Sequence, residues 1–154
     1  HDLFLDPANP QAKAFAQSIL LEIAAKYPDL DGIQYDYIRY PFKNENMGLN
    51  QNNWKLFQTE YPRYKQIGLP ESSKQMSASL NKDWNQFKVT QIDEFVSESS
   101  RKMKLINPAL TISAAVFPLD LNKALRQEWK GWIENGWIGR INPMTYVPHD
   151  ASAR

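Results

Sequence analysis

The chain contains no cysteine, which excludes a disulfide framework and any thiolate metal site. It has only two histidines, His1 and His149, so no His-rich metal centre is expected. Charge of one sign is also lacking: 18 Lys and Arg against 17 Asp and Glu leave a net +1, and the two signs are interleaved without a basic run. Such a surface has no field to steer it onto nucleic acid or an anionic membrane. No apolar run approaches the roughly 20 residues of a membrane span, and no signal peptide is recognisable. A Gly-rich phosphate loop of the G-x-G-x-x-G kind is missing, which argues against nucleotide binding. No cofactor and no metal are expected. A chain without Cys suits an extracytoplasmic protein.

What is present is a globular composition: 154 residues, 42% hydrophobic and 23% charged, enough to bury a core. The opening "HDLFLDPANP" reads like the middle of a domain, so a processed protein or a fragment of a larger one is expected. Aromatic residues make up 12%. They serve either core packing or the stacking of sugar rings.

Periodicity orders the chain as strands alternating with helices. Asp2–Asp6 reads as a short strand, with Leu3 and Leu5 on one face. Asn9 and Pro10 predict a helix start, and Phe15, Ile19, Leu20, Ile23 and Tyr27 recur at helical spacing up to Pro28. A strand is predicted over Gly32–Ile38. Residues 41–81 form a polar excursion, longer than ordinary loops and of the length that binding loops and lids have. Within it Trp54, Phe57 and Tyr61 predict a short helix. A long helix is predicted from Asp83 to Ile106, with Phe87, Ile92, Phe95, Val96, Ser99 and Met103 along one side and Asn107-Pro108 as its stop. Leu110–Val116 reads as a strand, Leu121–Asn135 as a helix and Ile138–Val147 as the last strand.

This alternation predicts an α/β fold with about four parallel strands and right-handed crossovers. It is the grammar of both open doubly wound sheets and the TIM-type (β/α)8 barrel. In either, chemistry gathers at the carboxyl ends of the strands. A full barrel needs about 250 residues, so the chain would be a partial one. Its open edges then predict self-association or a larger parent protein.

Strand parity names the candidates. In Gly32–Ile38, the residues Ile33, Tyr35 and Tyr37 share one face, while Gln34 and Asp36 share the other. The apolar face suits helices, which points Gln34 and Asp36 at the barrel axis. Asp31 stands at the opposite end and reads as a turn residue. Asp6, Asp36, Phe117 and Tyr146 close their strands and would converge on one rim, with Asn142 on the same parity as Tyr146. Asp6, before Pro7, also fits a simple turn residue. Arg39 fits equally an ion pair with a neighbouring carboxylate or a contact to substrate.

Four blocks in order, "LDPANP", "DGIQYDYIRYP", "DWNQFKVTQIDEFV…INPALTISAAVFP" and "WKGWIENGW…INPMTYV", resemble the glycosyl-hydrolase-like family 10 proteins. The resemblance covers nearly the whole chain and implies a (β/α)8 barrel, here the single-domain central portion from the end of strand three to strand six. The second block is also similar to the strand-four signature of chitinase-type barrels, and "MTY" to their strand-six Met-x-Tyr. The Glu that those enzymes use as acid would fall on Ile38, so that acid is absent. The second acidic residue of many family members is replaced by Tyr37, and an Asp before strand six by Gly139.

The resemblance implies hydrolysis of O-glycosidic bonds in a polysaccharide, with peptidoglycan glycan strands as one substrate. Asp36 would be one carboxylate of the pair that such chemistry uses, its partner being Asp6, Glu45 or a residue elsewhere in the barrel. Tyr146, Arg39, Tyr37 and Tyr40 would contact sugar, Arg39 being suited to a carboxylated unit such as a muramic acid. The alternative is a carbohydrate-binding barrel that keeps the groove without turnover.

Overall fold

The computed structural model describes residues 4–41 and 44–145. Asn9 caps α1 (Pro10–Lys26) as the sequence predicts: its side-chain oxygen accepts from the N–H of Gln11 at 2.9 Å and of Ala12 at 3.1 Å. Pro10 occupies the first helical position, where a missing N–H costs nothing. β1 (Gly32–Tyr35) follows. The excursion contains α2 (Gln51–Glu60), the helix predicted from Trp54, Phe57 and Tyr61, capped by Asn50. α3 (Ala78–Ile106) begins five residues before its predicted start, because the Ser77 hydroxyl caps it at Leu80 N–H. Then come β2 (Thr111–Val116), α4 (Leu119–Leu125), α5 (Trp129–Glu134) and β3 (Arg140–Pro143).

The strands form one parallel sheet in the order β1-β2-β3. Gly32 opposes Thr111 where the sheet begins, and a Cβ there would stand 2.6 Å from the Thr111 carbonyl oxygen. Four strands are expected from the sequence; three are formed among the described residues. Phe4–Asp6 joins no ladder, since the chain is already turning at Asp6. The Asp6 carbonyl accepts from Asn9 N–H at 3.0 Å and its carboxylate from Ala8 N–H at 3.1 Å.

α3 covers one face of the sheet with the predicted stripe. Ile92, Val96 and Met103 pack against Ile112, Ala114 and Val116, and all are buried. Tyr35 joins them from β1, its hydroxyl 2.7 Å from Ser99 Oγ and 3.1 Å from Ser100 Oγ. A buried phenol needs such partners. α1 adds Ala24, Ala16, Leu20 and Leu21 to this core, and it meets α3 through polar pairs as well, with Lys13 on Glu94, Gln17 on Glu98 and Lys102 on Gln17. Of the recurring apolar positions, Leu20 packs on the core while Phe15 and Ile19 lie open to solvent.

The far half of α3 serves a second core. Phe57 of α2 is fully buried, 5.1 Å from the ring of Trp54, 5.3 Å from Trp84 and 5.4 Å from Tyr64. With Tyr61 at 4.8 Å and Phe87 at 5.7 Å from Phe57, six aromatic rings fasten the excursion to the N-terminal half of α3. The single helix predicted over Leu121–Asn135 is two helices. The chain breaks at Arg126, which takes the left-handed conformation (φ 55°).

Trp132 of α5 is tied to α3 by its indole N–H, which donates to Asp93 at 2.6 Å. Burial pushes the Asp93 carboxyl up from its ordinary 3.8 to about 6. Between those values the folded protein holds a proton that the unfolded chain has lost, so stability falls as pH rises through that range and then levels. Asp93→Asn keeps an acceptor for Trp132 and removes the buried charge. It should raise Tm by a few degrees at pH 7.5 and leave it nearly unchanged at pH 4 in thermal melts; equal shifts at both pH values would show that charge burial is not the cause.

Candidate functional site

The strand ends are shaped by a turn that parity alone does not foresee. β1 sends Gln34 to the open face and Tyr35 to the core, as expected, but the strand stops there. Tyr37 is left-handed (φ 53°) and swings out of the helix-facing series it was expected to share with Ile33 and Tyr35; its side is 61% exposed. Asp36 holds this turn, its Oδ1 accepting from Tyr37 N–H at 2.8 Å, while the Tyr37 carbonyl accepts from Arg39 N–H at 2.8 Å. An L-residue in that region costs about 1–2 kcal/mol. What the conformation yields is a stack: the Arg39 guanidinium lies 4.3 Å from the centre of the Tyr37 ring and 5.0 Å from that of Phe117. Phe4 extends the row, 5.9 Å from Tyr37. Two ring faces on one guanidinium fix its plane.

Among the described residues Arg39 has no ion pair, and its buried Nη1 has no acceptor. No carboxylate among the described residues forms the ion pair that its sequence context allows. A planar, oriented and unpaired guanidinium is a receptor for a carboxylate or another oxyanion.

Gln127 ties the strand ends to one another. Fully buried just past the helix break, its amide donates to the carbonyls of Ile38 (3.2 Å) and Ala115 (3.1 Å) and accepts from Phe117 N–H (3.0 Å). Trp129 Nε1 donates to the Phe117 carbonyl at 2.9 Å, and Tyr40 N–H to the Leu125 carbonyl at 3.0 Å. The segments after β1 and β2 are thereby held in one register, which sets Arg39 against Phe117. Nothing in the sequence marks Gln127 for this task.

On the open face of the sheet, Asn142 of β3 donates to Gln34 Oε1 of β1 across the small side chains of Ser113 and Ala115 in β2. Asn142 is thus linked to the residue two before Asp36. Asp6, Asp36, Tyr37 and Arg39 line a single open cavity of about 690 Å³ beside β1, so four candidates do come together, and Phe117 reaches them through Arg39. Asp6 is differently occupied. One oxygen holds the Ala8 turn, and the other accepts from Asn53 Nδ2 (2.7 Å) and Asn50 Nδ2 (3.2 Å), anchoring α2.

Tyr40 does not join the rim. It is 1% exposed and faces α3, so the expectation that it lines the entrance does not fit its burial. The reason is its backbone bond to Leu125, which turns the ring inward. Glu45 lies with Lys88 and Arg126, whose charges it balances, and approaches Ser73 Oγ at 3.5 Å. Asp31 stands at the opposite end of the sheet, its carbonyl accepting from Thr111 N–H. Tyr146, like His149, lies outside the described residues. Among the described residues no group of three or more His, Cys, Asp or Glu is placed to hold a metal ion, and no helix is long and apolar enough to cross a membrane.

The chain matches the family model described as Glycosyl hydrolase-like 10 over residues 1–154, its whole length, and belongs to that family. No curated protein matches it.

Two substitutions test the geometry of the rim. Gln127→Leu keeps the volume but leaves Phe117 N–H without its acceptor and two carbonyls without their donor; at about 1–3 kcal/mol per buried group, it should lower unfolding free energy in urea by ~2 kcal/mol or more. A loss within ~0.5 kcal/mol would show that Gln127 is not a fastener. Tyr37→Gly relieves the left-handed backbone while removing the ring, so its unfolding free energy should stay within about 1 kcal/mol of the parent. A larger loss would mean that the Arg39 stack contributes to stability.

Proposed function

We propose that this member of the glycosyl hydrolase-like 10 family cleaves O-glycosidic bonds of a polysaccharide at the rim formed by the carboxyl ends of its strands, with Asp36 as one of the two carboxylates. The observation that carries the reading is that one open cavity holds an exposed carboxylate, Asp36, and an arginine, Arg39, that lies over two aromatic rings and has no ion pair among the described residues. The parallel sheet and crossover helices support a (β/α)8 barrel as the parent architecture. On that reading Gln34, Asp36 and Asn142 face the barrel axis. The outer edges of β1 and β3 are then where its other strands, or a second copy, would pair.

Glycoside hydrolysis needs one carboxyl group to protonate the leaving oxygen and a second to act as base or nucleophile. Asp36, solvent-exposed and engaged among the described residues by the Tyr37 backbone N–H alone, is free to approach a glycosidic bond. Asp6 shares its cavity, yet both its oxygens serve as anchors, which favours a second carboxyl group from elsewhere in the barrel. Arg39 would pair with an acidic substituent of the sugar, as on the muramic acid units of peptidoglycan glycan strands, while Tyr37 and Phe117 offer aromatic faces. Tyr146 would hydrogen-bond the sugar. The absence of Cys fits an extracytoplasmic site of action.

A second reading, a carbohydrate-binding barrel without turnover, is favoured by the engagement of Asp6 and by Tyr37 standing where many relatives have a second acid. One pair of measurements separates the two. Asp36→Asn in the full-length protein should lower release of reducing ends from glycan strands by about 10²–10⁴-fold while glycan binding by calorimetry persists. Turnover unchanged within a few-fold removes Asp36 from the chemistry. Binding without turnover in the parent protein itself supports the second reading.

A further inference from the structure

The two faces of the sheet are composed differently. Toward the helices point Ile33 and Tyr35 of β1, Ile112, Ala114 and Val116 of β2 and Ile141 of β3, all of them in the core or packed on it. Alternation sends the other strand residues to the open face: Gly32 and Gln34, Thr111, Ser113 and Ala115, Arg140 and Asn142. That series is small or polar throughout. Parallel strands ordinarily carry apolar residues on both faces, because both are covered. Asn is moreover disfavoured inside strands, yet Asn142 sits in β3 between Ile141 and Pro143. A face built against the usual preferences, beside the strand ends, is where recognition chemistry is to be sought.

One carboxamide pair spans this face. Gln34 stands level with Ser113, and Asn142 with Ala115, so Asn142 lies nearer the carboxyl ends. Its Nδ2 donates to Gln34 Oε1 over the middle strand, where the small side chains of Ser113 and Ala115 leave room. A glutamine offers one carbonyl oxygen and an NH₂ with two donors. With Oε1 held by Asn142, the Gln34 amide is fixed in orientation, and its Nε2 has no acceptor among the described residues. Gln34 is exposed and lines the same open cavity as Asp36 and Arg39. It precedes Asp36 by two positions, about 7 Å along an extended chain.

We propose that Gln34 is a substrate contact that seats the sugar unit cleaved at Asp36, and that Asn142 is its positioning residue. Asn142 takes the carbonyl oxygen, which leaves the NH₂ of Gln34 as the group offered to the cavity. That NH₂ donates to a hydroxyl or amide oxygen of the sugar. The inference rests on the reading of Asp36 given above, and it adds a neutral contact to the charged one at Arg39. It also changes the part expected of Asn142, which acts through Gln34 and not on the sugar itself.

The test is calorimetry with peptide-free peptidoglycan glycan strands, on the full-length protein carrying Asp36→Asn so that binding is read without turnover. Gln34→Met, similar in length but without a donor, should weaken binding about three- to tenfold, the range of one neutral hydrogen bond. Gln34→Glu keeps an acceptor for Asn142 and offers no donor, so it should lose as much at about pH 7.5, where its carboxyl is ionised. Asn142→Ala should lose a comparable factor. Combined with Gln34→Met it should cost no more than Gln34→Met alone, because the two residues act as one unit. Thermal melts should stay within a few degrees of the parent, as for surface substitutions. Affinity kept within about twofold by either Gln34 variant overturns the contact, and additive losses overturn the positioning role of Asn142. These outcomes leave the Asp36 reading standing; glycan strands that fail to bind before Gln34 is changed overturn both.

Discussion

The strand ends of this protein depend on a single buried amide. Gln127 supplies two donor bonds and one acceptor bond to three places that have no regular ladder to satisfy them: Ile38 beyond β1, Ala115 in β2 and Phe117 beyond it. A parallel sheet leaves its carboxyl ends as the place where backbone must turn away, and buried polar groups there have to find partners. One glutamine fills that need for two adjacent strands. Gln127 lies in the break between α4 and α5, directly after the left-handed Arg126. The left-handed Arg126 is the local cost of placing it.

α3 is the second organising element. Its 29 residues serve two cores, the sheet side through Ile92, Val96 and Met103, the excursion side through Trp84 and Phe87. Lys88 falls between them, where the two sets of contacts meet. A long helix with apolar positions spread over its length is expected from sequence. That its two halves would cover different partners is not, since periodicity reports which positions are buried and not against what. The excursion is fastened by aromatic rings, and the Asp6 tether to Asn50 and Asn53 fixes its near end.

At the rim the chemistry rests on Arg39. Over the rings of Tyr37 and Phe117, and without an ion pair among the described residues, it makes the cavity beside β1 a place for a ligand with oxyanion character. Asp36 contributes twice: one oxygen holds the turn that brings Tyr37 onto the guanidinium, and the carboxylate remains exposed. The proposed hydrolysis and the glycan-binding alternative both start from this arrangement. They differ in whether a second carboxyl group meets the bond.

Much of this was legible in residues. The Asn9-Pro10 helix start, the α3 stripe, the core-facing Tyr35, the open-face Gln34 and the turn position of Asp31 all follow from local caps and from the periods of helix and strand, which depend only on near neighbours in the chain. The family resemblance was carried by contiguous blocks for the same reason. Other features were decided only by the tertiary structure. Tyr37 was assigned to the helix side by parity, which fails once the backbone leaves the strand and turns left-handed. The sequence places Tyr40 at the rim, but it is buried, with its backbone N–H bonded to Leu125, distant in sequence. Asp6 as an anchor of α2 and Gln127 as a fastener depend on partners ten or more residues away. Sequence determined the elements and their faces, because those are short-range. The tertiary fold decided which polar groups are already satisfied and which, like Arg39, remain open to a ligand, because satisfaction is a property of who else arrives.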